Sequence, residues 1–226
     1  MSVELLRVAK RYGEQEVLRG VDLRVGPGEA VALVGPNGAG KTTTLRILAA
    51  LTRPTEGSAR VCGWDVVRQA DRVRRCVGLV AEQAGVYGRL SALEVLRYFG
   101  ALYGLDRREV ERRSQQLVSW LEMHDFCHRP ASTYSRGMQK RLQLARALLH
   151  DPEVVLLDEP TSGLDAPTAR AVREAVRTLA RQGRCVLLAT HDLLEARAVG
   201  HRMVVLERGT VRQDPAALPE VPARVP

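Results

Sequence analysis

The chain has 226 residues, 45% of them hydrophobic and 27% charged, with a formal net charge of +8. That length suits one sizeable core, and no apolar run reaches the ~20 residues that a bilayer span requires. The basic excess is arginine, for lysine occurs at positions 10, 41 and 140 alone. Such charge draws phosphate, nucleic acid or an anionic membrane face. Few of the arginines adjoin an aromatic, so a stacking platform for single strands has no support and no nucleic-acid partner is expected.

The segment Met1–Arg7 lacks a basic start followed by a long apolar stretch. No signal peptide is read from it, and a cytoplasmic location is expected. The cysteines, Cys62, Cys76, Cys127 and Cys185, are scattered and form no CxxC pair. They suggest neither a disulfide framework nor a zinc site.

In chain order, residues 3–8 read as a strand, and partial alternation over 17–25 suggests further strands. Residues 26–29 form a turn. Ala30-Val31-Ala32-Leu33-Val34 is a short apolar run of the kind that becomes a buried strand. A glycine-rich loop follows, then a predicted helix over 41–50 that packs Leu45, Ile47 and Leu48. A short strand is expected over 57–63 and a buried one over 76–80. From Ser91 to about Leu121 helical spacing takes over: Leu93, Leu96, Phe99 and Leu102, then Val110, Leu117 and Leu121. The region of Asp106 breaks this stretch, and an inserted helical lobe is expected at about 84–141. Residues 139–149 predict another helix. Residues 153–157 predict a buried strand that ends in Asp158 and Glu159. A helix over 167–182, a strand over 185–189 and a short helix over 192–199 follow. A hairpin is expected from 203–206 and 210–212. The whole reads as a single domain, 1–213, with a proline-rich tail over 214–226. Strands that alternate with helices predict an α/β fold, a mainly parallel sheet covered on both faces, with an antiparallel piece from the early strands.

The chemistry centres on Gly35-Pro36-Asn37-Gly38-Ala39-Gly40-Lys41-Thr42, where a strand runs in and a helix leaves. The glycines let the backbone curl so that its N–H groups face inward. The helix N-terminus adds partial positive charge. Lys41 can reach β- and γ-phosphates and the Thr42 hydroxyl can hold magnesium; Thr43 is counted with the loop. Asp158, at a strand end beside this loop, suits the magnesium shell. Glu159 suits polarisation of an attacking water, because phosphoryl transfer needs its nucleophile in line. His124 and His128 could share a helix face, but no carboxylate supports a metal site there.

Several further motifs stand in a definite order: Tyr134-Ser135-Arg136-Gly137-Met138, then Val154–Glu159 with Pro160-Thr161, then Ser162-Gly163-Leu164-Asp165, then His191 after a strand. With the phosphate loop, they make the chain resemble the nucleotide-binding subunit of an ABC transporter, from about Leu5 to Arg212. The resemblance implies a P-loop ATPase core with an antiparallel β subdomain and an inserted α-helical one. It implies a dimer of ATPase subunits, homomeric or heteromeric, with ATP and Mg2+ held between the phosphate loop of one and the signature of the other. Carried over, Ser135 and Gly137 would contact the γ-phosphate across the dimer, Asp165 would mediate contact between the halves, His191 would contact the γ-phosphate, and Tyr12 would stack on adenine. Lys41, Glu159 and His191 would form the catalytic set. The family's usual signature is Leu-Ser-Gly-Gly-Gln. Here Arg136 replaces a glycine and points to phosphate or to solvent, while Met138 loses a glutamine's hydrogen bonds. In the segment 80–87, either Glu82 or Gln83 occupies the family's magnesium-contacting position. The segment 82–87, the signature and the short chain are similar to exporters of multidrug, sodium or haem type. Such a subunit works with an integral membrane permease at the cytoplasmic face of the membrane. The competing class is a soluble ATPase of the same family, in iron–sulfur assembly, DNA repair or translation.

Overall fold

The computed structural model describes residues 1–82 and 88–213. Its strands are β1 (Val3–Tyr12), β2 (Gln15–Val25), β3 (Ala30–Val34), β4 (Glu56–Val61), β5 (Trp64–Asp65), β6 (Val77–Val80), β7 (Val154–Asp158), β8 (Cys185–Thr190), β9 (Arg202–Glu207) and β10 (Thr210–Gln213). Its helices are α1 (Lys41–Leu48), α2 (Ala70–Cys76), α3 (Ala92–Leu102), α4 (Arg107–Trp120), α5 (Arg136–Leu148), α6 (Ala166–Arg181) and α7 (Leu193–Val199). A four-stranded antiparallel sheet runs β2-β1-β4-β5, and a six-stranded sheet runs β10-β9-β3-β8-β7-β6. In the larger sheet β9, β3, β8, β7 and β6 are parallel, and β10 closes one edge antiparallel to β9. This is the α/β class that the alternation of strand and helix predicts.

The central strands are buried on both faces, which explains their unbroken apolar runs. Val155, Leu157, Val186 and Leu188 join a core with α6 and with the helices of the 92–148 region. Their neighbours Val154, Leu156, Cys185 and Leu187 face the opposite way, toward α1 and the antiparallel sheet. Full burial of an aliphatic side chain contributes roughly 1.5–3 kcal/mol, whereas strand propensity spans only about 1 kcal/mol. Burial on two faces therefore decides where these strands sit.

Local signals set the helix starts. Ser91 and Glu94 form a reciprocal capping box that opens α3. Asp106 caps α4 by accepting from the Glu109 N–H at 2.8 Å. Three local expectations are corrected. Cys76 ends α2 and is not part of a strand. That helix escapes notice in the sequence because only Val73 and Cys76 are buried among Asp71, Arg72, Arg74 and Arg75. The helix expected from Gln139 begins at Arg136, because Ser135 supplies its cap. His124 and His128 share no helix face: they lie in turns, and His124 Nε2 sits 3.1 Å from the Ser119 hydroxyl. All four thiols are free. Cys62 and Cys76 nevertheless lie close enough for each thiol to act on the other, and the Cys76 thiol donates to the Val73 carbonyl at 3.3 Å. The tail over 214–226 lies outside the described residues.

Candidate functional site

The register of the parallel strands brings the motifs together. Val34, the last residue of β3, pairs with Thr190, the last of β8. Asp158, the last of β7, pairs with Ala189, and Val80, the last of β6, with Leu157. The residues that follow these ends, namely Gly35, His191, Glu159 and Ala81, emerge along one edge. In parallel α/β sheets, ligands bind at this carboxyl edge.

The loop 35–42 is built by close packing. A Cβ on Gly35 would lie 2.1 Å from the Leu206 carbonyl oxygen, and one on Gly40 would lie 2.5 Å from Leu18 Cδ2. Gly40 also holds φ +107° as the cap of α1, with no side-chain cap. The first N–H groups of α1 thus lack an intrahelical partner and a competing side chain, as an anion site requires. Within the loop, Ala39 N–H bonds the Pro36 carbonyl at 3.2 Å, while Asn37 and Gly38 are exposed at its tip. Lys41 is buried and curls back, Nζ donating to the carbonyls of Gly35 at 2.7 Å and Pro36 at 3.2 Å. Thr43 is half-buried in the first turn of α1.

Thr42, Asp158 and Glu82 line one cleft of about 350 Å³ with Leu45, Leu79 and Ala81. Burial holds the Asp158 carboxyl above its ordinary pKa, against the pull of the neighbouring Thr42 hydroxyl. Asp158 Oδ1 is buried without a hydrogen-bond partner among the described residues. An orphaned carboxylate oxygen beside a hydroxyl fits a hard cation such as magnesium, which prefers oxygen ligands. Glu82 reaches this cleft, whereas Gln83 lies outside the described residues. The cleft has two carboxylates, and no group of three or more histidine, cysteine or acidic residues that could hold a metal occurs among the described residues.

Glu159 stands one residue beyond Asp158, at φ +46°. A non-glycine residue in this region costs energy and marks a site worth inspecting. Its N–H bonds the Ala189 carbonyl at 2.9 Å. Oε1 faces His191 Nδ1 at 2.9 Å and Lys41 Nζ at 3.7 Å, and Oε2 accepts from the Thr190 hydroxyl at 3.4 Å. The hydrogen bond to Glu159, followed by its charge, raises the His191 pKa. The three residues expected to be catalytic therefore converge on one carboxylate.

Ser135 and Gly137 do not join this cluster or its cleft. Ser135 caps α5, its hydroxyl oxygen accepting from the Met138 N–H at 3.3 Å, so the hydroxyl proton stays available. Tyr134 anchors the turn: its buried hydroxyl reaches the carbonyls of Phe126 at 2.8 Å and Arg129 at 3.0 Å. Met138 packs against the larger core, and the next side chain, Gln139, bonds the Tyr134 carbonyl at 3.2 Å. Asp165 caps α6 and accepts from the Thr168 N–H, which lowers its pKa. Tyr12 is exposed at the end of β1, with Lys10 Nζ 4.7 Å from its ring centre.

Two buried charges escape a reading of the sequence. Lys140 lies inside α5, and Asp158, Glu82, Glu195 and Glu159 act on its charge; burial lowers its pKa despite them. Glu195 of α7 is buried and accepts from the Thr161 hydroxyl at 2.6 Å. The available signal was a charge on the apolar stripe of a helix, which is weak without the partners.

Comparison with known proteins agrees with this geometry. The family model described as ABC transporter matches residues 18–162. The ABC transporter ATP-binding protein NatA of Bacillus subtilis (strain 168) is 39% identical, over 92% of this chain and 87% of its own length. The daunorubicin resistance ATP-binding protein DrrA3 of Streptomyces coeruleorubidus is 42% identical, over 89% of this chain and 64% of its own. Among solved structures, a dimeric ATP-binding cassette in a post-hydrolysis state, bound to ADP and Pi, superposes with a TM-score of 0.83 at 30% identity; the match covers 94% of this chain and 97% of that one. Phosphate loop, strand-end carboxylates, fold and relatives agree: the chain belongs to the ABC transporter family, as one of its ATP-hydrolysing cassettes.

Proposed function

We propose that two copies of this chain, or one copy and a close relative, clamp ATP between them and drive an exporter whose channel is a separate integral membrane subunit. The observation that carries this reading is the separation within one chain. Ser135 is exposed and keeps a hydroxyl proton free, yet it stands apart from the Lys41–Glu159–His191 cluster. A second copy would supply the missing face. The likeness to a dimeric cassette supports this, and the likeness to a drug-resistance ATP-binding protein supports export. No described helix is long and apolar enough to cross a membrane, so a separate membrane subunit would hold the chain at the inner face.

In the proposed cycle, the N–H groups of 38–42 and Lys41 take up the phosphates, and Tyr12 stacks on adenine. Thr42 and Asp158, with Glu82 or Gln83, would hold magnesium, which would neutralise developing phosphate charge. Glu159 orients and polarises the attacking water. His191, held through Nδ1, turns Nε2 toward the γ-phosphate, and its raised pKa favours the form that donates there. Ser135 and Gly137 complete the γ-phosphate site, and Asp165 touches the other copy.

The test is ATP-dependent mass in solution. Glu159→Gln protein should double in mass with ATP, and a bulky Ser135→Arg should abolish the doubling while each monomer still binds nucleotide. A monomer that turns over ATP at full rate would refute the clamp. Affinity purification from membranes should bring a polytopic membrane protein with the chain; recovery of the chain alone from the soluble fraction would refute the exporter role.

A further inference from the structure

Arg136 is the signature residue whose direction the sequence left open. In the folded chain it runs back over the loop that precedes α6. Its Nη1 lies 3.0 Å from the position of a Cβ on Gly163, with Cδ at 3.8 Å and Cζ at 4.0 Å. Gly163 holds φ +70° and so presents a bare face to the guanidinium. A second contact lies beside it. A Cβ on Gly137 would sit 3.0 Å from Thr168 Cγ2 and 3.4 Å from Thr168 Oγ1. Thr168 is tied to Asp165 twice, N–H to Oδ1 at 2.8 Å and Oγ1 to Oδ2 at 3.0 Å. The turn that carries Ser135 and the loop that carries Asp165 are thus joined side by side.

We propose that Arg136 is a positioning residue: its guanidinium, laid on Gly163, fixes the Ser135 turn to the Asp165 loop so that both reach the other copy's ATP site as one unit. This rests on the clamp reading, because only there do both segments face a partner. A glycine at 136 would remove this contact and leave the Gly137–Thr168 contact beside it. The planar fork of arginine packs flat on exposed backbone, which a lysine ammonium does not. Arg136 itself is exposed, so its removal should not disturb folding.

A double-mutant cycle on ATP turnover tests this. Gly163→Ala places a methyl 3.0 Å from Nη1, tighter than such groups pack, so the guanidinium must shift off its seat on the loop. The strain of φ +70° is present with or without Arg136, so it cancels in the cycle. Arg136→Ala should lower kcat roughly five- to thirty-fold, the scale of contacts that act by orientation. Melting temperature and binding of a fluorescent ATP analogue to the monomer should not change. Gly163→Ala should cost at least about fivefold more in the native background than on top of Arg136→Ala, and that difference is the coupling the cycle reads. Wild-type turnover by Arg136→Ala, or single effects that simply multiply, would overturn the proposal. Full rescue by Arg136→Lys would also overturn it, by assigning the effect to charge. Ser135→Arg serves as the control. If it is silent, the clamp reading itself fails; if it is crippling while the cycle is flat, only the role of Arg136 fails.

Discussion

Replacement of Glu159 by glutamine should move nucleotide binding and turnover in opposite directions. Before phosphate arrives, Lys41 Nζ is shared between two loop carbonyls and the Glu159 carboxylate 3.7 Å away. Both side chains are buried, at 6% and 8% exposure. An incoming phosphate must draw Lys41 from this carboxylate and must also tolerate its charge. At an effective dielectric of about 20, such a pair is worth roughly 4 kcal/mol gross. Desolvation and rearrangement offset most of it, so a net gain of about 1–2 kcal/mol, roughly five- to thirty-fold in ATP affinity, is expected for the neutral isostere. Loss of the group proposed to polarise water should slow turnover by about 10²–10⁴, or about 3–5 kcal/mol on the barrier. Calorimetric titration with ATP measures the first effect, and phosphate release under saturating ATP measures the second. Turnover within threefold of the native chain would refute the assignment of Glu159. Weaker ATP binding would refute the competition for Lys41. An NMR titration adds a third reading: without the carboxylate, the His191 pKa should fall toward its ordinary value.

Gly35→Ala should unfold or severely destabilise the protein, because the new methyl meets the Leu206 carbonyl at 2.1 Å and backbone cannot swing aside; overpacking of this kind costs about 1–3 kcal/mol or more, and thermal melting reads it directly. Thr161→Val should cost about 1–3 kcal/mol by removing the 2.6 Å hydrogen bond to buried Glu195. Glu195→Gln should recover part of that loss, since a neutral amide tolerates burial better. His150 gives a pH signature. It stacks on Tyr103 at 3.8 Å, with Nε2 bonded to the Val77 carbonyl at 3.1 Å, and burial lowers its pKa from 6.5 to about 4. The unfolded chain then binds a proton that the fold refuses, so its stabilisation is complete above the unfolded value and shrinks as pH falls toward about 4. The loss amounts to roughly 3 kcal/mol. Urea denaturation between pH 7 and pH 4 should show it, and His150→Phe, which keeps the stack, should flatten that part of the profile. An unchanged slope in the variant would refute the assignment to His150.

The same edge of the sheet explains why the motifs work together and why each is placed by something distant. His191 follows β8, Glu159 follows β7 and Lys41 follows the loop after β3, so three separate crossovers deliver three side chains to one point. A one-residue slip between β7 and β8 would part Glu159 from His191 and would also turn Val155 and Leu157 out of their core. Site geometry and core packing therefore stand or fall together.

Much of this protein is written in short stretches of sequence. The loop 35–42 announces a phosphate site because its chemistry, glycines that curl the backbone and a lysine after them, is complete within a few residues. The runs 30–34, 154–157 and 185–189 announce buried strands because a side chain's preference for the interior does not depend on which neighbour it meets. Helical spacing from Ser91 and a break near Asp106 announce two helices, and the caps found there close within three residues. Other features needed the folded chain. The pairing of Val34 with Thr190 and of Asp158 with Ala189 decides which carboxylate meets which cation. Burial of Lys140 among carboxylates, the helix that ends at Cys76, and the turn of Arg136 onto Gly163 all depend on partners remote in the chain. Periodicity and turn chemistry are local, and a sequence displays them. Register and side-chain approach come from packing across the whole core, so only the tertiary structure decides them.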